Sequence, residues 1–311
     1  MDNILCIVGP TASGKTRLSV ALAQELDAEI VSFDSMQVYC GMDIGTAKPT
    51  IEERGGIHHH MFDVVQPWEE FSVSRYVEMA DACVQDILSR GKKVILVGGT
   101  GLYIDSLILG REFAPFPATG RREELQKRLE TEGIEPLFSE LKRIDPQAAE
   151  NIHPANHKRV LRALEVFLET GTTISEHNRQ SKLQKPKYEP TWIGLDYVNR
   201  EALYRRIDLR VETMIEQGLA EEVERLLASG ISSDATSLQA IGYKELVAYL
   251  KGEGSLQEAK ETIQRSSRRY AKRQRTWFYR NEKVNWLLLP DKPDFESIFR
   301  QARQICTKND T

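Results

Sequence analysis

Cysteine is scarce in this 311-residue chain, and none of it is paired in sequence. Cys6, Cys40, Cys83 and Cys306 are scattered without a C-x-x-C spacing. That excludes a disulfide-stapled scaffold and a cysteine zinc knuckle. Long apolar runs are missing as well. None approaches the ~20 residues that cross a bilayer, and the start lacks the basic-then-apolar pattern of a secretory leader. The expectation is a cytoplasmic protein with reduced thiols and no membrane association. Internal repeats and low-complexity tracts are absent too, and the net charge is only −4, so no excess of one sign advertises a polyanionic partner.

Charge is nevertheless unevenly placed. Residues 262–281 hold seven basic side chains (Arg265, Arg268, Arg269, Lys272, Arg273, Arg275 and Arg280) and no acidic one. Tyr270, Trp277, Phe278 and Tyr279 are interleaved. A basic stripe with aromatics has the form of a nucleic-acid footprint. A solvated helix face with its aromatics packed inward has the same sequence.

The clearest chemical signal is Gly9-Pro10-Thr11-Ala12-Ser13-Gly14-Lys15-Thr16. It follows the apolar run Ile4–Val8 and opens a helix-like stretch, the context that G-x-x-x-x-G-K-[ST] requires. Glycines let successive amides turn inward at anionic oxygens, and the helix adds its positive end. Lys15 supplies a full charge, and the Thr16 hydroxyl is placed to ligate magnesium.

Further apolar runs at 29–33 and 94–97 predict buried parallel strands, with a helix over 72–89 between them. Pro115 and Pro117 mark a break. Helical patterns follow at 121–131, 135–143 and 156–170, with no strand signal, and then a polar linker over 182–190. Strand signal returns at 191–196. Helices are predicted over 200–217, 219–228, 237–250 and 256–280, then a strand at 284–289 and a terminal helix. The fold class is therefore α/β: a parallel-sheet core, in two parts (1–112 and 190–311), interrupted by an all-helical insertion (113–189).

Asp34 ends the second strand, where open α/β sheets place ligands, and can accept a proton from a nucleophile. A magnesium ligand or a turn residue is the alternative. The third strand ends in Gly98-Gly99-Thr100-Gly101 instead of the Asp of a motor ATPase, which argues against hydrolysis. Asp63 is a weak substitute. His58-His59-His60 reads as an ordinary strand, since no Cys or Glu stands at ligand spacing. On the helix 156–170, Leu161, Leu164, Phe167 and Leu168 predict a core face, and Lys158, Arg159 and Arg162 a charged one. Arg206 and Arg210 lie one helical turn apart, so one of them can neutralise a phosphate.

Taken together, the loop 9–16, Asp34-Ser-Met-Gln-Val-Tyr39, Met42-Asp-Ile-Gly-Thr-Ala-Lys-Pro49, Val97–Tyr103, Asn156–Glu165, Leu238–Glu245 and Arg269–Phe278 resemble the tRNA dimethylallyltransferases, over nearly the whole chain. The resemblance implies a P-loop NTPase-like core. It implies transfer of a dimethylallyl group from dimethylallyl diphosphate to N6 of the adenosine 3′ of the tRNA anticodon, with release of diphosphate. Residues Gly9 to Thr16 would hold the diphosphate, with Mg2+ at Thr16. Asp34, Thr100 and Arg206 would be catalytic. The tRNA would meet Asp34, Ser35, Met36, Gln37, Thr100, His157, Lys158, Arg159, Val160, Leu161, Arg162, Arg269, Lys272 and Arg273. A monomer is expected. A nucleoside or small-metabolite kinase shares the loop and a strand-end Asp, but needs neither the basic stripe nor so large an insertion. A non-catalytic RNA-binding module would leave the loop and Asp34 idle.

Overall fold

In the computed structural model, residues 3–111, 119–183 and 185–308 are described. Pro115 and Pro117, and with them the expected first domain boundary, lie outside the described residues. Two compact units are present: residues 1–110 with 188–311, and residues 111–187.

The larger unit is built on six parallel strands. They are β1 (Ile4–Val8), β2 (Ala28–Ser32), β3 (His59–His60), β4 (Lys93–Val97), β5 (Thr191–Tyr197) and β6 (Val284–Leu289). Their order is β3-β2-β4-β1-β5-β6. Burial on both faces explains why β1, β2 and β5 read as continuous apolar runs. In the register Cys6 faces Leu96 on β4 and Trp192 on β5, so the carboxyl ends of the central strands finish together. Crossovers are supplied by α1 (Lys15–Leu26), α2 (Val73–Ser89) and α3 (Gly101–Ile108). Ser72 caps α2 by accepting from the Arg75 amide.

The smaller unit is entirely helical among its described residues: α4 (Arg121–Glu132), α5 (Ile134–Ile144), α6 (Pro146–Asn151), α7 (His157–Thr170) and α8 (Ile174–Leu183). Asp145 caps α6, with Pro146 in its first turn. This short helix and α8 were not legible in the apolar pattern. On α7, Val160, Leu161 and Leu164 are buried with Leu125, Leu137 and Leu141. Leu168, expected inside, is exposed.

The larger unit resumes after β5 with α9 (Arg200–Glu216), α10 (Leu219–Ala228), α11 (Tyr243–Leu250), α12 (Leu256–Phe278) and, after β6, α13 (Phe295–Lys308). The single helix expected over 237–250 is split. A 3-10 turn at Ser237–Gln239 ends before Gly242, whose φ of 99° is a left-handed conformation that breaks helical continuity. One apolar cluster joins the sheet to α1, α9 and α13. A second packs the segment 38–42 against α10, α11 and α12. Asp196, fully buried on β5, is tied to α12 by Arg275 Nε at 2.7 Å and the Tyr279 hydroxyl at 2.8 Å.

At the outer side of the sheet, buried Glu29 on β2 receives Arg90 through both terminal nitrogens (2.5 and 2.8 Å) and His60 Nε2 at 2.8 Å. Arg90 above all, then His60 and Lys92, hold the Glu29 carboxyl well below its ordinary value near 4.5. A carboxyl depressed on folding stabilises the fold above its unfolded value, and that contribution is lost as pH falls towards the folded one. Replacing Arg90 with Ala is expected to lower the urea midpoint at pH 7. The gap to the wild type should close as the medium is acidified through the carboxylate range, which urea titrations at a series of pH values will read.

Candidate active site

The loop 9–16 wraps from β1 into α1 and forms the floor of a cavity of about 890 Å³. Gly9 has φ of 148°, and a Cβ there would collide with the Leu195 carbonyl, so only glycine lets the loop leave β1 at this angle. Ala12 adopts φ of 64°, a left-handed conformation held inside a binding loop. Lys15 Nζ donates to the Gly9 and Pro10 carbonyls at 2.9 and 2.8 Å. Burial first, then Arg210, lowers its ammonium to about 7, and Asp34 opposes that shift. Thr16 lines the same cavity.

Asp34 follows β2, on the wall next to the loop. Its Oδ1 accepts the Met36 amide at 2.9 Å. Burial raises the carboxyl above its ordinary value, while the Met36 amide and Lys15 pull it back. Thr100 connects β4 to this segment: its Oγ1 accepts from the Ser35 amide at 3.1 Å. Met36 turns its side chain toward the apolar cluster of α10–α12. Gln37 lines the cavity, with its amide bonded to the Thr46 and Ala47 carbonyls.

Arg206 and Arg210 of α9 both reach the loop, in different ways. Arg206 Nε donates to the Ala12 carbonyl at 3.2 Å. Arg210 reaches Thr11 Oγ1 at 3.2 Å, and burial lowers its guanidinium while the Asp34 charge supports it.

Helix α12 contributes residues that the sequence pattern assigned only to a basic stripe. Gln274 is buried and bridges two loops: its Oε1 accepts the Thr11 amide at 2.8 Å, and its Nε2 donates to the Gly99 carbonyl at 3.0 Å. Tyr270 lines the cavity, and burial raises its phenol to about 12, so it stays protonated. The four interleaved aromatics are mostly structural. Phe278 is buried, Tyr279 stacks on Trp286 at 4.2 Å, and Trp277 Nε1 donates to Asp105. Of the basic residues, Arg268 pairs with Asp208 and Arg275 with Asp196. Arg269, Lys272 and Arg273 stand exposed.

On α7 of the smaller unit, His157, Lys158, Arg159 and Arg162 are exposed. Val160 and Leu161, expected to touch nucleic acid, are instead core residues there, because a helix turns positions 160–161 away from its charged face. Asp63 is not a free metal ligand: its Oδ1 meets the buried Lys48 at 2.6 Å. The expectation that no Glu joins the histidines is overturned by strand pairing, which brings Glu29 beside His58 and His60. That carboxylate already carries Arg90 on both oxygens, which fills the place of a cation.

The loop residues 11–16, Lys15 among them, and Arg210 thus line one cavity. Arg210→Ala is expected to weaken inorganic diphosphate binding by about tenfold or more, the scale of a hydrogen bond to a charged group. Arg206→Ala, which removes a donor to a loop carbonyl, should cost less; calorimetric titration compares them.

Comparisons with known proteins identify the family. The family model described as IPP transferase matches residues 37–282. The chain is 50% identical over 297 residues to a tRNA dimethylallyltransferase of Caldanaerobacter subterraneus, covering 95% of this chain and 94% of that one. A relative of the same name from Acetivibrio thermocellus is 50% identical over 301 residues, covering 96% and 94%. Among solved structures, a tRNA isopentenylpyrophosphate transferase from Bacillus halodurans superposes with a TM-score of 0.74 at 42% identity, covering 99% of this chain and 96% of that one. A eukaryotic dimethylallyltransferase acting on tRNA gives 0.83 at 31% identity, covering 99% and 78%. The α/β core is thus P-loop NTPase-like, and the chain belongs to the IPP transferase family.

Proposed function

We infer that the protein transfers a dimethylallyl group to tRNA, taking it from dimethylallyl diphosphate and placing it on N6 of the adenosine 3′ of the anticodon. The observation that carries the chemistry is Asp34, a carboxylate with raised proton affinity, in one cavity with Lys15 and Arg210. An aromatic amine is a poor nucleophile because its lone pair is delocalised into the ring. As N6 bonds to the first carbon of the prenyl group, Asp34 takes its proton. The bond from that carbon to the diphosphate oxygen breaks, and its electron pair leaves with the diphosphate. Loop amides, Lys15 and Arg210 receive the growing negative charge. Arg206 steadies the loop through Ala12.

The donor set beside the loop is hard oxygen, the Thr16 hydroxyl and phosphate oxygens, which suits Mg2+. The ion would supply further neutralisation of the leaving group. Thr100 fixes the Asp34–Ser35 turn through the Ser35 amide. An adenine must leave its stack to reach so recessed a carboxylate, so a flipped base fits the cavity. Exposed Arg269, Lys272 and Arg273 of the larger unit suit the phosphate backbone of a tRNA, and so, taken by itself, does the charged face of α7 in the smaller unit. The protein is proposed to act as a monomer. Among the described residues no helix is long and apolar enough to cross a membrane. No observation favours phosphate transfer from ATP.

Incubation with tRNA and labelled dimethylallyl diphosphate, without ATP, is expected to label the RNA. Phosphate transfer from ATP without prenyl incorporation would overturn this reading. Asp34→Ala should lower kcat by about 10²–10⁴, the range of general base catalysis, while tRNA affinity is unchanged. Affinity should also fall steeply with salt, and removing Arg269, Lys272 and Arg273 together should reduce that slope by about three.

A further inference from the structure

The segment Met42–Pro49 walls the cavity, yet the chemistry above makes no use of it. Its conformation is held by a carboxylate from far along the chain. Glu222, on α10, is 2% exposed. Its Oε2 accepts the Asp43 and Ile44 amides at 3.1 and 2.9 Å, and its Oε1 accepts the Gly45 amide at 3.2 Å. The Tyr243 hydroxyl donates to the same Oε1 at 2.6 Å. Successive amides converging on one anion form a nest. Here the anion is supplied by the protein itself, so the nest is filled and its shape fixed before any substrate arrives.

What the fixed loop does next is visible at its far end. The Thr46 and Ala47 carbonyls accept from Gln37 Nε2 at 3.1 and 3.2 Å. Ser32 donates to Gln37 Oε1 at 3.2 Å. A side-chain amide has two donor hydrogens, and both are spent on the loop. What Gln37 has left to offer the cavity is one acceptor lone pair on Oε1. Adenine presents donor hydrogens at its exocyclic amine, whereas a 6-oxo purine presents an acceptor at the same place. An amide held in this sense admits the first and repels the second.

We propose that Glu222 is a positioning residue for the target nucleotide: by filling the nest at 43–45 it holds the Thr46 and Ala47 carbonyls on Gln37, and so keeps the Gln37 oxygen turned to an exocyclic amine. This rests on the reading that Gln37 meets the base. Glu222→Gln keeps one acceptor oxygen and sets an NH2 donor where the other accepted amides of the nest, so the loop rearranges and the Gln37 amide is free to rotate. Discrimination against a 6-oxo purine then weakens, while the diphosphate grip, built on another part of the wall, is untouched.

The experiment is a double-mutant cycle with Glu222→Gln, Gln37→Ala and their combination, on an anticodon stem-loop. It reads kcat/KM, donor affinity, and inhibition by the same stem-loop carrying inosine at the target position. Glu222→Gln is expected to lower kcat/KM by about tenfold to a hundredfold, the scale of hydrogen bonds to a charged group. Donor affinity should stay within about twofold, and the inosine stem-loop should bind better relative to the adenosine one. On the Gln37→Ala background, Glu222→Gln should add no further loss. Full additivity, or an equal loss of donor affinity, would overturn the role of Glu222 while leaving Gln37 at the base. An unimpaired Gln37→Ala protein would overturn the Gln37 reading, and the proposal with it. If Glu222→Gln does not fold, Gly45→Ala serves: its added Cβ collides with the Tyr243 ring and displaces the loop while the carboxylate itself is kept. It should reproduce the relaxed inosine discrimination, and unchanged discrimination in a folded Gly45→Ala protein would sink the idea.

Discussion

The carboxyl ends of β1, β2 and β4 finish together because the strands are parallel and in register. That alignment delivers the loop 9–16, Asp34 and the Gly98-Gly99-Thr100 turn to one crevice. Parallel strands with helical crossovers leave their carboxyl-end loops free to diverge, which is why ligands collect there. Gln274 then locks two of the three loops together by accepting from Thr11 and donating to Gly99. With no side chain on Gly99, the Gln274 amide lies against the backbone; a Cβ would occupy its place. A helix near the end of the chain thereby sets the width of a site begun at its start.

The crevice is electrostatically unbalanced on purpose of its architecture. Lys15 and Arg210 are both lowered by burial; Asp34 opposes that shift at each, and Glu53 joins it at Arg210. Two partly desolvated cations that repel each other are a destabilising arrangement for the empty protein and a favourable one for a bound polyanion. Buried ionic groups elsewhere are matched: Glu29 with Arg90, Asp196 with Arg275, and Lys48 with Asp43 and Asp63.

Much of this was legible in the residues. The apolar runs located β1, β2, β4 and β5 to within a residue or two, since strands buried on both faces leave an unbroken signature; β6 was located as well, although at the sheet edge its Asn285 and Leu288 are exposed. The phosphate loop was legible because its function needs particular residues at fixed spacing. Less local features were not. The split at Gly242 depends on a single backbone conformation, and α6 is too short to show a period. Val160 and Leu161 sit between basic residues in sequence, yet helical rotation puts them in a core. Tyr270 and Gln274 were hidden inside a stripe whose charge drew attention to its outer face.

The sequence by itself determined the α/β class, the anion-binding loop, the strand-end carboxylate and a family resemblance carried by short motifs, because each is written in neighbouring residues. Only the tertiary structure decided which of two arginines reaches deep, that Gln274 bridges the loops, and that Glu222 fills a nest 177 to 179 residues away. Those pairings are contacts between distant segments. They are set by the packing of α9, α10 and α12 against the sheet and its loops, and a linear pattern carries no record of which distant polar groups will satisfy each other once water is excluded.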